Sequence, residues 1–216
     1  MSLKRFPVIA IDGPAGAGKT TVAKLLAERL GITYINTGAM YRAVALVYKR
    51  KNGDPVKIAQ EIAIRFRGER IFLGNEDVTN LLYTPEMSML SSTLSAIPGV
   101  RRALVPKQRE MANYSPVVME GRDIGTVVFP DADVKFFLTA SVEERAKRRK
   151  AQFNDPRPLE EIKREISERD EQDSTRENSP LKPAEDAIIV DTTGVPLEQV
   201  VEILLREIEK KKLKFN

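Results

Sequence analysis

Gly13-Pro14-Ala15-Gly16-Ala17-Gly18-Lys19-Thr20 matches the pattern G-x-x-x-x-G-K-[ST], in which successive backbone N–H groups turn inward around phosphate oxygens. An apolar run over residues 6–11 precedes this stretch, and a helical pattern continues from Thr20 to Leu30 and stops at Gly31. This order of strand, loop and helix places the positive end of a helix at the phosphates. It predicts a phosphate loop in which Lys19 reaches the β- and γ-phosphates of a nucleotide and the Thr20 hydroxyl binds Mg²⁺.

The composition limits the chemistry that the chain can use. Its 216 residues include no cysteine and no histidine, which excludes disulfides and removes the commonest general base. Catalysis must therefore use carboxylates, lysine, arginine, hydroxyl groups or a bound metal. The net charge of +4 and the pI of about 9.2 suit either nucleic acid or a polyphosphate pocket.

The length suits one large domain or a core with an inserted subdomain. No apolar run is long enough to cross a bilayer. The residues before the first strand leave no room for a signal peptide. We therefore expect a cytoplasmic protein.

Apolar runs and helical stretches alternate along most of the chain, which predicts an α/β fold with helices on both faces of a five-stranded parallel sheet. The predicted strands are residues 6–11, 32–35, 116–120, 133–138 and 187–190. Residues 70–77 interrupt the alternation with a predicted hairpin that turns at Gly74-Asn75. We interpret the region that contains this hairpin as an insertion.

Three further segments carry polar groups that a core connection does not need. Thr37 can cap the helix that follows the second strand, and Arg42 lies one turn further on. Residues 121–130 follow a buried strand and contain Arg122-Asp123 and two glycines. The segment from Arg149 to Pro180 has little apolar content, so we expect an exposed and mobile lid.

Three stretches, the phosphate loop, residues 37–42 and residues 120–132, together resemble the bacterial cytidylate kinase family. The resemblance extends over nearly the whole chain, and its most specific part is Gly-Arg-Asp-Ile-Gly-Thr-Val-Val-Phe-Pro, residues 121–130. It implies a three-layer α/β/α P-loop fold with a core (about 1–36, 115–150 and 181–216), a monophosphate-binding insertion (about 37–114) and a helical lid (about 150–180). It also implies transfer of the γ-phosphate of ATP, with Mg²⁺, to CMP or dCMP. The implied enzyme is a monomer that needs neither nucleic acid nor a membrane.

The same resemblance implies roles for individual side chains. The ATP site comprises the phosphate loop, Thr21, Arg145 and Arg149. The catalytic cations are Lys19, Arg122, Arg169 and Arg176. The acceptor site comprises Thr37, Tyr41, Arg42, Ser92, Arg101, Arg122, Asp123, Arg169, Asp173 and Arg176. Thr37, Arg42 and Arg122 would hold the phosphate of CMP. Ser92, Arg101 and Asp123 would recognise cytosine.

Three other functions compete with this interpretation. A regulatory GTPase needs a guanine-reading Asn-Lys-x-Asp, and the chain has none. An ATP-driven nucleic-acid binder needs aromatic side chains among its basic ones, yet aromatic residues make up only 6% of the chain. Another small-acceptor kinase, for UMP, AMP or shikimate, is the closest alternative.

Overall fold

The computed structural model describes residues 6–215, which divide into two compact units. The first unit contains the described chain on either side of residues 36–108, and the second unit is Asn36–Gln108. In chain order the elements are β1 (Val8–Asp12), α1 (Lys19–Leu30), β2 (Thr33–Asn36), α2 (Thr37–Lys51), α3 (Pro55–Glu61), β3 (Ile64–Arg67), β4 (Arg70–Leu73), β5 (Glu76–Asp77), α4 (Thr79–Leu82), α5 (Pro85–Ser95), α6 (Pro98–Met111), β6 (Val117–Glu120), a π-helix (Ile124–Val128), β7 (Val134–Thr139), α7 (Val142–Phe153), α8 (Leu159–Thr175), β8 (Ile188–Asp191) and α9 (Leu197–Lys210).

A five-stranded sheet with the order β2-β6-β1-β7-β8 forms the centre of the first unit. The central strand β1 pairs in parallel with β6 and β7, and β7 pairs in parallel with β8. All five residues of β1 are buried, as expected for a parallel strand covered on both faces. The predicted five-stranded parallel sheet is therefore confirmed.

Helices α1 and α9 supply the apolar layer beside this sheet. Val22 and Leu26 of α1 join Val200 and Leu204 of α9 in one buried cluster with side chains of β1, β6 and β7. Their spacing of four residues within each helix places each pair on one helical face. This packing fixes the carboxyl ends of β1 and β6, after which the phosphate loop and the Arg122-Asp123 segment begin.

The segment after β6 forms a π-helix that the sequence does not predict. The N–H of Val128 donates to the carbonyl oxygen of Asp123 at 3.1 Å, and the N–H of Phe129 donates to that of Ile124 at 2.7 Å. At its other end, Arg109 donates from Nε to the carbonyl of Val128 and from Nη2 to that of Val127, both at 2.8 Å. One guanidinium therefore satisfies two carbonyl groups that a short helix leaves without intrahelical partners.

The predicted lid segment has a firmer attachment than its composition suggests. Ile162 and Ile166 of α8 are fully buried against Ala146 of α7, with Val142 and Leu159 around them. The expectation of an exposed segment is wrong for this face of α8, because two apolar residues four apart are enough to make a small core.

The Asn36–Gln108 unit combines helices with a small antiparallel sheet of order β3-β4-β5. The predicted hairpin is present, with Leu73 paired to Glu76 across the Gly74-Asn75 turn. The expected cap is corrected: the side chain of Asn36, rather than that of Thr37, accepts the N–H of Ala39 at 3.0 Å. Asn36 has the extended backbone of a cap residue, whereas Thr37 already belongs to α2.

Candidate active site

Two glycines of the phosphate loop occupy positions that no other residue fits. Gly13 has φ of 146°, and a Cβ atom there would lie 2.0 Å from the carbonyl oxygen of Leu138 in β7. Gly16 has φ of 78°, and its Cβ would lie 2.9 Å from that of Arg145. The loop is therefore pressed against β7 and α7, and its backbone path depends on glycine.

Lys19 is buried in the phosphate loop, with 6% of its surface exposed. Its Nζ donates to the carbonyl oxygen of Pro14 at 2.7 Å. Burial and the nearby guanidinium of Arg122 lower the pKa of Lys19 well below its ordinary value, with Glu120 opposing and Arg169 adding to the effect. A buried ammonium beside two guanidinium groups is a site that gains free energy from an anion.

Thr20 lies beside a carboxylate that the sequence did not single out. Its Oγ1 donates to Oε2 of Glu120 at 3.1 Å, while the hydroxyl of Tyr34 donates to Oε1 of the same residue. Glu120 is 3% exposed at the end of β6. A hydroxyl and a carboxylate oxygen next to the phosphate loop are the hard oxygen ligands that Mg²⁺ prefers. Among residues 6–215, no group of three or more carboxylates is arranged to hold a metal ion by itself.

Asp173 gathers three of the predicted arginines. Arg122 lies 3.1 Å from its Oδ2, and Arg176 lies 3.6 Å from its Oδ1. Burial raises the pKa of Asp173, but Arg122, Arg169 and Arg176 together bring it below its ordinary value. The first unit therefore brings Arg122, Arg169 and Arg176 together, and Arg122 and Arg169 also act electrostatically on Lys19.

The two arginines predicted to contact ATP are both buried on α7. Arg145 donates to the carbonyl of Ala140 at 2.9 Å and to that of Ala15, inside the phosphate loop, at 3.2 Å. Arg149 pairs with Glu165 of α8. Arg145 thus adjoins the loop directly, whereas Arg149 connects α7 to α8. Thr21 is exposed in the first turn of α1.

Arg148 is a neighbour of the phosphate loop that the predicted site omitted. It donates to Oγ1 and to the carbonyl oxygen of Thr192 at 2.9 and 2.7 Å. The same Thr192 hydroxyl lies 3.2 Å from the carbonyl oxygen of Ala17. This chain of contacts braces the loop from the end of β8. In the sequence, the only signal for Arg148 is its place among three arginines of α7, at positions 145, 148 and 149.

Asp12 is a second omission. It is 4% exposed at the end of β1, immediately before the loop. Burial raises the pKa of Asp12 from 3.8 to about 6, although hydrogen bonds from the N–H groups of Gly125 and Ile124 act in the opposite direction. An isoleucine-aspartate pair at a strand end carries no distinctive sequence signal.

Asp123 is 4% exposed and directly precedes the π-helix. The remaining acceptor residues lie in the Asn36–Gln108 unit, where they form two groups. The guanidinium of Arg101 stacks on the ring of Tyr41 at 5.2 Å. Arg42 lies over the ring of Tyr83 at 5.6 Å, and its Nη2 lies 3.3 Å from Oγ of Ser88. Stacking and hydrogen bonding each restrict the directions in which these two guanidinium groups can point.

The buried face of α5 lies close to these arginines. Ser88, Ser91, Ser92 and Ser95 are all buried and follow the spacing of one helical face. Nη1 of Arg101 lies 3.5 Å from the carbonyl oxygen of Ser95. Thr37 is 3% exposed in the first turn of α2. The unit thus has a hydroxyl-lined helix face accompanied by two oriented arginines.

Within residues 6–215, no helix has the length and apolar character needed to cross a membrane.

Structural neighbours support the fold alone. A shikimate kinase from Acinetobacter baumannii, solved in complex with shikimate, is 17% identical with a TM-score of 0.50, covering 97% of this chain and 96% of that one. A gluconokinase from Sinorhizobium meliloti is 16% identical with a TM-score of 0.50, covering 96% and 94%.

Sequence relatives give a narrower result. A curated cytidylate kinase from Caldanaerobacter subterraneus subsp. tengcongensis is 51% identical, covering 94% of each chain. Another from Carboxydothermus hydrogenoformans is 48% identical, covering 94% of this chain and 97% of its own. The model of the family described as cytidylate kinase matches residues 9–210. With this match over nearly the whole chain and a phosphate loop packed as described, the chain belongs to the cytidylate kinase family.

Proposed function

We propose that this chain transfers the γ-phosphate of ATP to CMP or dCMP and forms CDP or dCDP. The observation that carries the proposal is a set of four cations at the phosphate loop. Arg122 and Arg169 act electrostatically on Lys19, and the same two arginines act with Arg176 on Asp173. Phosphoryl transfer spreads negative charge over the equatorial oxygens of the moving group, so it needs this kind of environment.

The absence of histidine agrees with the proposed reaction. The nucleophile is a phosphate oxygen of CMP, which is largely ionised at neutral pH and needs no general base. That oxygen forms a bond to the γ-phosphorus while the bond to the β–γ bridging oxygen breaks, and ADP leaves with that electron pair. The protein aligns the two oxygens and stabilises the charge. Lys19 and the arginines are the proposed groups for both tasks.

The Thr20 hydroxyl and the Glu120 carboxylate would hold the Mg²⁺ ion. An ion held there would supply positive charge that offsets the charge of the nucleotide phosphates. The 3.1 Å contact between Thr20 Oγ1 and Glu120 Oε2 keeps both oxygens at the start of α1, where the backbone N–H groups of the loop are directed to phosphates. Arg145, adjoining Ala15, and Arg149 are the proposed further ligands of ATP.

Acceptor selection falls to two groups of side chains. Thr37, Arg42 and Arg122 would bind the phosphate of CMP, and Arg122 is oriented for this by Asp173. Ser92, Arg101 and Asp123 would hydrogen-bond to cytosine, with Arg101 held over the ring of Tyr41. A base with the wrong donors and acceptors would match the hydrogen-bonding groups of these side chains poorly, which lowers kcat/KM by about a hundredfold or more.

The lid, residues 150–180, would close over the nucleotides and exclude water, which otherwise accepts the phosphoryl group. Arg169 and Arg176 would move towards the phosphates during closure, and Asp173 would contact the sugar. The insertion at residues 37–114 would carry the monophosphate site. We further propose a monomeric cytoplasmic enzyme without a nucleic-acid or membrane partner.

An acceptor series tests the proposal. The purified protein is assayed for ADP formation with ATP and Mg²⁺ in the presence of CMP, dCMP, UMP, AMP or shikimate. We expect CMP and dCMP to exceed the other acceptors in kcat/KM by about a hundredfold or more. Arg122→Ala should abolish most of this activity. Arg164→Ala removes an exposed charge of α8, and this variant should retain the activity of the wild type. Comparable kcat/KM values for AMP and CMP would refute the proposed acceptor.

A further inference from the structure

Asp12 connects the start of the phosphate loop to the segment that carries Arg122 and Asp123. Its Oδ1 accepts the N–H of Ile124 at 2.9 Å, and its Oδ2 accepts the N–H of Gly125 at 2.7 Å. Both donors belong to the first turn of the π-helix, where N–H groups have no intrahelical acceptor. One buried carboxylate therefore satisfies two adjacent donors through charge-assisted hydrogen bonds.

The packing around Gly125 shows how closely this contact is fitted. A Cβ atom at Gly125 would lie 3.5 Å from Oδ2 of Asp12 and 3.1 Å from Cδ of Lys135. Lys135 is itself 7% exposed, and its Nζ donates to the side chain of Asp186 at 2.8 Å. The main chain at Gly125 is thus enclosed between the carboxylate and the Lys135 stem, so it has little room to shift.

We propose that Asp12 is a positioning residue for the acceptor nucleotide: its two hydrogen bonds fix the backbone that directly follows Asp123, and so fix the direction of Arg122 and Asp123. The inference rests on the proposed function, in which those two side chains bind CMP. Asp12 touches neither nucleotide in this account. It acts through the backbone of Ile124 and Gly125, although it belongs to the strand that leads into the ATP loop.

Only a carboxylate can make both hydrogen bonds. Asparagine has the same shape but offers a single acceptor oxygen, and its NH₂ group would face one of the two N–H donors. Asp12→Asn therefore preserves packing and disturbs only the attachment. Asp133 provides a matched control, because its Oδ2 accepts the N–H of Val8 at 2.8 Å at the opposite end of β1.

The experiment compares the wild type, Asp12→Asn and Asp133→Asn by steady-state kinetics for each substrate and by calorimetric titration with CMP alone. For Asp12→Asn we expect KM and Kd for CMP to rise about tenfold while KM for ATP changes less than about twofold. Asp133→Asn should keep both KM values, even if its Tm falls. A purely structural role of Asp12 would lower Tm without this difference between the two substrates.

Each other result counts against the inference. If KM for ATP rises as much as KM for CMP, Asp12 serves the phosphate loop itself and the proposal is wrong. Unchanged CMP binding in Asp12→Asn also overturns it. If Asp12→Asn does not fold, Gly125→Ala replaces it, because the added methyl group would lie 3.1 Å from Cδ of Lys135 and press on the same backbone. The same selective loss of CMP affinity is then required. A wild-type protein that neither binds nor phosphorylates CMP would overturn the proposed function as well, which separates the two failures.

Discussion

Oδ2 of Asp170, in α8, lies 2.6 Å from Nη1 of Arg145, and the same guanidinium nitrogen donates to the carbonyl oxygen of Ala15 inside the phosphate loop. A single arginine of α7 therefore joins the proposed lid to the proposed ATP site. Burial raises the pKa of Asp170, and Arg145 opposes this shift. Loss of this ion pair should therefore make local opening of α8 more frequent.

Asp170→Asn should loosen α8 without disturbing the sheet. The substitution removes the charge that pairs with Arg145 and leaves the buried face of Ile162 and Ile166, with the Arg149–Glu165 and Arg122–Asp173 ion pairs, to hold the helix. A partly exposed ion pair contributes about 1 kcal/mol, which corresponds to about fivefold faster amide exchange by local opening. We expect this acceleration across Leu159–Thr175 in the nucleotide-free enzyme, measured by hydrogen exchange with mass spectrometry.

The control for this variant is Glu161→Gln, which removes an exposed carboxylate from the same helix. Its exchange should match the wild type. Equal exchange in Asp170→Asn and wild type would mean that the other contacts of α8 hold the helix without the Arg145–Asp170 pair. Adding ATP and CMP together should slow exchange in this helix in the wild type, because the proposed closure would bring Arg169 and Arg176 to the phosphates.

Lys19→Met should make the protein inactive and more stable. Burial and the adjacent Arg122 and Arg169 lower the pKa of Lys19, so the folded state disfavours its ammonium form. Replacing it with an apolar side chain of similar length removes that cost. We expect Tm to rise by about 2–4 °C, equivalent to about 1 kcal/mol, and kcat to fall at least about a hundredfold.

Lys147→Met provides the comparison for Lys19→Met, since Lys147 is exposed on α7 and pairs with Glu143. It should retain kcat and gain no stability. A Lys19→Met variant that melts below the wild type would contradict the electrostatic description. One that retains kcat would remove Lys19 from the catalytic groups.

Asp12 should make the stability of the protein depend on pH between 4 and 7. Its pKa in the folded protein is about 6, above its ordinary value of 3.8, chiefly because of burial; Asp123 raises it further and Lys19 lowers it. The folded state therefore binds this proton more tightly, and the resulting stabilisation is complete below pH 3.8 and lost as the pH rises through about 6. We expect the free energy of unfolding of wild type minus that of Asp12→Asn to fall by about 3 kcal/mol over this range.

Chemical denaturation at several pH values measures this difference. Asp191→Asn should show the opposite trend, because hydrogen bonds from the side chain and backbone of Thr193 hold the pKa of Asp191 below its ordinary value. The stability that Asp191 contributes is present at neutral pH and lost on acidification. A flat difference for Asp12→Asn would show that its carboxyl group has the same pKa in the folded and unfolded protein.

Ser88→Ala should weaken acceptor binding through Arg42. The Ser88 hydroxyl lies 3.3 Å from Nη2 of Arg42, and the same guanidinium lies over the ring of Tyr83. Losing this contact leaves the guanidinium less well directed, at a cost of about 1 kcal/mol. KM for CMP should rise about fivefold while KM for ATP is unchanged. Ser91→Ala, one turn further along α5, removes a hydroxyl that bonds to the carbonyl of Ser88 and should leave both constants unchanged. Equal effects of the two substitutions would assign the loss to helix packing.

The sequence predicted most of the sheet and the phosphate loop, because both depend on local patterns. The strand at Val117–Glu120 is a continuous apolar run between turn signals, and the loop requires glycine at fixed positions such as Gly13. By contrast, the partners of Asp12 are more than a hundred residues away. Those contacts form only when β1 and β6 are paired, so no local sequence pattern predicts them.

The candidate site divides in the same way. The sequence places Glu120 at the end of a predicted strand, but its contact with Thr20 depends on how β6 and the loop are placed against each other. Arg148 and Arg149 are indistinguishable as sequence, and only the rotation of α7 shows that Arg148 contacts Thr192 and the loop. The buried face of α8 was within reach of sequence reasoning, since Ile162 and Ile166 are spaced by one turn.

The π-helix has a consequence for how this gene can change by insertion and deletion. One turn of π-helix contains one residue more than the α-helical turn it replaces, so loss of a single codon near Thr126 would convert it to an ordinary helix. Every later carbonyl would then rotate by about 100° about the helix axis. Val127 and Val128 would lose the guanidinium of Arg109, while Asp12 would still hold the first turn. Substitutions at Thr126 leave the length of the main chain unchanged. This short segment should therefore tolerate substitutions far better than insertions or deletions.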